Sequence, residues 1–204
     1  MTGLRARQKA FRHERILEAA ADLFRKAGYE AVKMETIAAA AEVSIGTIYN
    51  YYQNKGDLLV AIVAMEVNEV LQGGEKVIAR PPRSAEKAID SLIGNYIEHA
   101  LVYLSKEMWR QAMAISTQQP DSPFGTTYAE LDVALARQIR GLVEKLQQLG
   151  LVRTGVDTAA VGELLFNNMN MMFIAFVHTA EMTVAELRAA IRRQSRPLVD
   201  AIKA

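Results

Sequence analysis

Apolar residues recur at i, i+3, i+4 and i+7 along nearly the whole chain, and the β-branched residues are scattered without an alternating run, so the sequence reads as all-α. A first helix is predicted over 12–27, with Ile16, Ala19, Ala20, Leu23, Phe24 and Ala27 on one face and Gly28 as its stop. Short helices follow over 34–41 and 45–51, the second capped by Ser44. Asn54 and Asp57, in N-cap and N3 positions, open a long helix from Lys55 to about Ile78, in which Gly73 and Gly74 are expected to fray or bend the backbone. Pro81 and Pro82 end it.

Ser84 starts a helix carrying Ile89, Leu92, Ile93, Tyr96, Ile97 and Ala100 that reaches about Leu104, and another is predicted over 106–116. The stretch STQQPDSPFGTT is rich in turn formers and is expected to be a surface loop. Thr127 and Glu130 form a capping-box pattern for a helix of about twenty residues stopped by Gly150. Asp157 caps a helix to His178, and Thr183 with Glu186 caps a last one to Ile202.

Composition narrows the function classes. No apolar run is read as approaching the roughly 20 residues that cross a bilayer, and the N-terminus lacks the roughly 7 to 15 apolar residues of an export signal, so no membrane partner and a cytoplasmic location are expected. With no cysteine, disulfides, thiol catalysis and cysteine-ligated zinc are excluded. His13, His99 and His178 are too scattered for a helical metal motif, and no phosphate loop, GxSxG turn or compact acid pair marks an enzyme. No cofactor is expected.

The net charge of +1 hides an asymmetry. Residues 1–56 hold nine basic against six acidic residues, a net of +3, which leaves −2 for 57–204. Most of the excess lies in the first fifteen residues, where Arg5, Arg7, Lys9, Arg12 and Arg15 face only Glu14, and such a segment seeks a polyanion.

Two short helices joined by a tight turn, behind a supporting helix and a basic arm, are what a major-groove reader requires. Val43, Ile48 and Tyr52 are placed to pack inward with Ile37 and Ala41. Ile45, Gly46, Thr47, Tyr49, Asn50 and Tyr51 are left outward or at the flanks. Hydroxyls and an amide suit phosphates and base edges, Ile45 suits a thymine methyl, and Gly46 permits close backbone approach. Lys55 is in reach of a phosphate.

The segment RHERILEAAADLFRKAGYEAVKMETIAAAAEVSIGTIYNYYQNKGDLL resembles the DNA-binding region of the TetR family of tetracycline-repressor-like regulators. The resemblance implies a DNA-binding domain over 1–56 and a ligand-sensing, dimerising helical domain over 57–204. It places the helix-turn-helix at about 33–52 and the contact residues at Lys33, Thr36, Ser44, Ile45, Gly46, Thr47, Tyr49, Asn50, Tyr51 and Lys55. Three positions depart from the family pattern. Glu42 stands where glycine is usual, at a cost of roughly 1 kcal/mol that predicts an adjusted turn. Lys33 replaces a small hydroxyl residue and weakens the cap of the second helix. Ile45 replaces a frequent lysine or arginine.

By the same resemblance, the last two helices dimerise, through stripes that include Val161, Leu165 and Phe176 on one and Leu187, Ile191 and Leu198 on the other. Periodicity alone leaves those stripes open to either dimer interface or intrachain core. A pocket for a mostly apolar or aromatic effector is implied among residues 55–178, with Tyr96, His99, Tyr103, Trp109, Met113, Phe124, Asn168, Met172 and Phe173 as candidate lining. The function implied is a homodimeric repressor of a pseudo-palindromic DNA operator, released by a small molecule. The alternatives are an activator or protein-responsive regulator of the same fold, and a helical enzyme or carrier.

Overall fold

The computed structural model describes residues 2–204, without the side chains of Thr2, Leu4 and Arg5; Arg5, counted in the basic arm, thus lies outside the described side chains. The described residues form α1 (Thr2–Ala27), α2 (Met34–Ala40), α3 (Ile45–Tyr49), α4 (Lys55–Ala79), α5 (Ala85–His99), α6 (Lys106–Gln118), α7 (Pro123–Gln148), α8 (Thr158–His178) and α9 (Val184–Ile202). The all-α reading holds, and the described residues contain no strand beyond one isolated bridge, Val152 to Lys203.

Packing sorts the chain into two compact units, one of residues 1–65 with 101–128 and the other of 66–100 with 129–204. The sequence division at residue 56 does not follow these lines. Helix α4 gives its first eleven residues to one unit and the rest to the other.

In the first unit α2 packs on both α1 and α3. Ile16, Ala20 and Phe24 of α1, Ile37 of α2, Ile48 of α3 and Leu58, Leu59 and Ile62 of α4 form the centre of its core. Gly28 ends α1 at φ 82°, a conformation that favours glycine. Asn54 Oδ1 accepts from the Asp57 amide at 3.0 Å while the Asp57 carboxylate accepts from the Gln53 amide at 2.8 Å, so the start of α4 is closed from both sides.

In the second unit α9 packs on α5 and α8. Asp90 of α5 takes both Arg188 and Arg192 of α9, and Arg188 also reaches Glu98 across the bare backbone of Gly94. The two arginines, by hydrogen bond and charge, outweigh the upward push of burial and hold the Asp90 carboxyl below its ordinary range. Expected fraying at Gly73 and Gly74 is absent. Instead Asn95 and Gln138 lie against these glycines and donate, at 2.8 Å each, to the carbonyls of Val70 and Leu71. The Tyr96 hydroxyl donates to Gln138 Oε1 at 2.6 Å, completing a buried polar clamp on α4.

Several boundaries moved. Helix α1 begins ten residues before the predicted start, because its exposed extension carries no apolar stripe to announce it. Helix α3 ends at Tyr49 rather than 51, and α5 at His99 rather than 104. Helix α7 begins at Pro123: the Ser122 hydroxyl caps the Gly125 amide at 3.0 Å, and proline fits the first helical position, so PFGTT is helix and Thr127 caps nothing. A further correction concerns α8, which is long and apolar enough by length and composition to span a bilayer. Within the chain, its Val161, Leu165, Phe166, Met169, Phe176 and Val177 are buried against protein.

One carboxylate in the second unit opposes folding. Burial pushes the Asp132 carboxyl up to about 6, above its ordinary value of 3.8, so the fold favours the protonated form. The penalty is absent at low pH and sets in as pH rises through about 4 to 6, where the unfolded chain ionises this carboxyl before the folded one does. Asp132→Asn is therefore expected to stabilise the protein by about 1–3 kcal/mol at pH 7 and to give no gain near pH 3, as read by urea unfolding at the two pH values.

Candidate nucleic-acid interface

Helix α3 is built from its first residue outward. Ser44, in an extended conformation, accepts the Thr47 amide on its hydroxyl at 3.1 Å, and the Ser44 and Thr47 hydroxyls lie 2.8 Å apart. Ile48 points inward and is 0% exposed, and Tyr52 is buried below it. This leaves Ser44, Ile45, Gly46, Tyr49 and Asn50 exposed and Thr47 and Tyr51 half-buried. Tyr49, 49% exposed, presents a ring and hydroxyl to solvent with no fold-level reason. Around Gly46 a side chain would meet only the Ser44 hydroxyl, at 3.9 Å, so nothing within the chain demands glycine there. Its effect is to bare the backbone on the outward face.

The turn before α3 is not adjusted in the manner expected. Glu42 adopts the left-handed conformation itself, at φ 50°, and its carboxylate takes Arg15 of α1 at 2.6 Å. The local cost stands, and a surface ion pair offsets part of it. Lys33 caps α2 in an extended conformation without a side-chain hydrogen bond, as expected, and it is exposed, as is Thr36.

Lys55 is more occupied than the sequence implied. Its ammonium donates to the carbonyls of Tyr29 at 2.9 Å and Glu30 at 3.0 Å and sits 4.7 Å from the Tyr29 ring. It ties the start of α4 to the chain after α1, leaving one N–H for an external acceptor.

Two residues of the same surface were not singled out from sequence. Lys9 and Arg12 of α1 line, with Thr47, Asn50 and Tyr51, a cleft of about 370 Å³. The Tyr51 hydroxyl donates to the Lys9 carbonyl at 3.4 Å, and the Lys9 ammonium lies 5.9 Å from the Tyr51 ring. Beside them Tyr52 and His13 share a 2.7 Å hydrogen bond, and burial, with Tyr51 adjacent, raises the Tyr52 phenol well above its ordinary range. The concentration of charge in the first fifteen residues was the available signal.

The remaining predicted residues fall in the helical body. In the first unit Trp109 and Phe124 are buried and Tyr103 and Met113 half-buried. In the second, Tyr96 is held by Gln138, and His99 lies between Glu66 at 2.7 Å and Glu69 at 3.3 Å. Asn168 donates to Ser195 at 3.1 Å, Gln194 to the Met172 sulfur at 3.2 Å, and the Phe173 and Phe176 rings are 5.9 Å apart. Of the stripes read for dimerisation, Val161, Leu165, Phe176, Leu187 and Ile191 are buried within the chain and Leu198 is half-buried. Along α8 the exposed line is instead Ala160, Leu164, Asn167, Met171 and Ala175.

A short outward-facing helix held over one buried side chain, beside a supporting helix with a basic end, defines a helix-turn-helix of the kind that reads duplex DNA. Residues 16–62 match the family model described as bacterial regulatory proteins, tetR family. The HTH-type transcriptional repressor KstR of Rhodococcus jostii is 39% identical over 82 residues, which cover 40% of this chain and 39% of that protein. A TetR-family regulator from Mesorhizobium loti superposes with a TM-score of 0.78 at 21% identity, over 96% of this chain and 98% of its own. The TetR-family repressor FadR of Thermus thermophilus, solved with lauroyl-CoA, gives 0.65 at 21% identity over 91% and 92%. The family match covers residues 16–62, and over the whole chain the structural likenesses establish the fold.

The strain at Glu42 is separable from its ion pair. Glu42→Gly relieves the backbone and Glu42→Ala does not, while both remove the bond to Arg15. The glycine variant is expected to be about 1 kcal/mol more stable than the alanine variant in chemical denaturation.

Proposed function

We propose that the chain is a transcriptional repressor that binds a short pseudo-palindromic operator as a homodimer and leaves it on binding a small, largely apolar effector. The observation that carries this reading is the outward face of α3, where Tyr49, Asn50, Thr47 and the bare backbone at Gly46 stand over a wholly buried Ile48. Such a face has no role in folding and suits base edges and phosphates. Two such faces are needed for half-sites about 34–36 Å apart, which is the reason for a symmetric dimer.

The second copy is assigned to the exposed line of α8. Leu164, 55% exposed, and Met171, 64% exposed, lie on it seven residues apart, with alanines at either end that allow close helix approach. The stripes first read for pairing already serve the core of the second unit. For the effector, the lauroyl-CoA bound by the Thermus thermophilus repressor makes molecules with a long acyl chain the first class to try, with lauroyl-CoA as the probe despite its charged head group.

Fluorescence anisotropy against a duplex from upstream of the protein's own gene tests the reading. The expected result is tight, salt-dependent binding with clear preference over an unrelated duplex, weakened by lauroyl-CoA; equal affinity for both duplexes overturns it. Tyr49→Ala is expected to cost about 1–3 kcal/mol on the operator without changing the sedimentation coefficient. Leu164→Glu with Met171→Glu is expected to give a folded monomer, and an unchanged dimer would move the interface elsewhere.

A further inference from the structure

Helix α1 does not start where its buried face starts. From Gly3 to Glu14 every described side chain is exposed, and burial begins only at Arg15 and Ile16. An exposed helical extension of about three turns gains nothing from the core and only just reaches the roughly 12–15 residues below which even good helix formers are marginal in water. It is held by continuity with the buried part of α1.

Its charge works against it. Residues 2–13 contain Arg5, Arg7, Lys9 and Arg12 and no acidic residue, and the first turn of the helix has no carboxylate. Cations near a helix N-terminus oppose the macrodipole, most strongly in the first turn, and a run of like charges along the following turns repels itself. Other bases of α1 have their counter-charges: Arg15 takes Glu42, and Arg25 and Lys26 take Asp22. Lys9 and Arg12 enter no ion pair among the described residues. A segment that breaks a local rule without return inside the chain does so for something outside it.

The geometry names that partner. Lys9 and Arg12 border the same cleft as Thr47, Asn50 and Tyr51, so two uncompensated cations, two hydroxyls and an amide converge beside the recognition helix. Two cations with neutral donors and no carboxylate are the equipment for a phosphate diester, where positioning rather than base identity is at stake. Resting on the reading of α3 as a DNA-reading helix, we infer that the N-terminal extension of α1 is a second DNA-contact element, in which Lys9 and Arg12 join Thr47, Asn50 and Tyr51 to grip a backbone phosphate beside the groove. The matched family region begins at residue 16, so this element lies outside it.

The experiment compares the full chain with K9Q/R12Q on operator and unrelated duplexes, by anisotropy from low to moderate salt. Both residues are exposed, so the melting temperature should hold. The expected result is a loss of about tenfold to a hundredfold on both duplexes alike, an unchanged specificity ratio, and a fall of about 2 in the slope of log K against log salt. Wild-type affinity and slope in the variant would overturn the inference while leaving the repressor reading intact. Salt-dependent binding without sequence preference in the parent protein, lost in the variant, would support the arm and sink the repressor reading. Absence of duplex binding in the parent would overturn both. Stronger binding of the parent to phosphatidylserine vesicles than to duplex, lost in the variant, would assign the arm to a membrane surface and overturn its assignment to DNA.

Discussion

A helix of five residues has no stability of its own in water, and α3 exists because Ile48 is buried and Ser44 closes its first turn. Removal of either would leave the outward residues without a fixed direction. The rest of the first unit serves that one contact: α2 packs against α3, α1 packs against α2, and the Lys55 ammonium pins the start of α4 to the carbonyls that follow α1. The outward face of α3 is therefore positioned largely by side chains that lie beneath or behind it.

The two units solve different problems. The first holds a small helix still while leaving most of its side chains outside. The second joins helices through polar groups in its interior: Gln138 and Asn95 donate to carbonyls of α4 at the two glycines, and Asp90 gathers two arginines from α9. Buried polar contacts of this kind fix register more than they add stability, because their partners had hydrogen bonds in water before folding. A bundle held by apolar stripes alone could slide by a turn; one with a glutamine seated against Gly74 is not free to do so.

The sequence disclosed most where the signal was local. The caps at Ser44, Asn54, Asp157 and Thr183 are short-range hydrogen-bond patterns, and each stands in the structure as read. Ser122 and Pro123 carried an equally local signal but sat among turn formers, which masked a helix start as a loop. Periodicity identifies the buried faces of α8 and α9 without saying what buries them; the resemblance assigns Leu165, Phe176, Leu187 and Ile191 to pairing, and all four are buried within the chain. The extension of α1 escaped because an all-exposed helix leaves no apolar trace. Glu42 was identified as a strained position, and the backbone accepted the strain where a rearrangement was expected.

Helix α9 is closed at both ends. Thr183 and Glu186 exchange hydrogen bonds across its first turn, and at its far end the Arg153 amide donates to Ile202, the Ala204 amide to Leu151, and the Arg153 guanidinium to Ala201. Such a helix has no frayed terminus from which local opening can start, so its amides should exchange with solvent only through opening of the whole second unit. Helix α3, held by one buried side chain and one cap, belongs at the opposite end of the protection scale. The segment proposed to face the bases is thus one whose backbone opens by local events, independently of the closed helix α9.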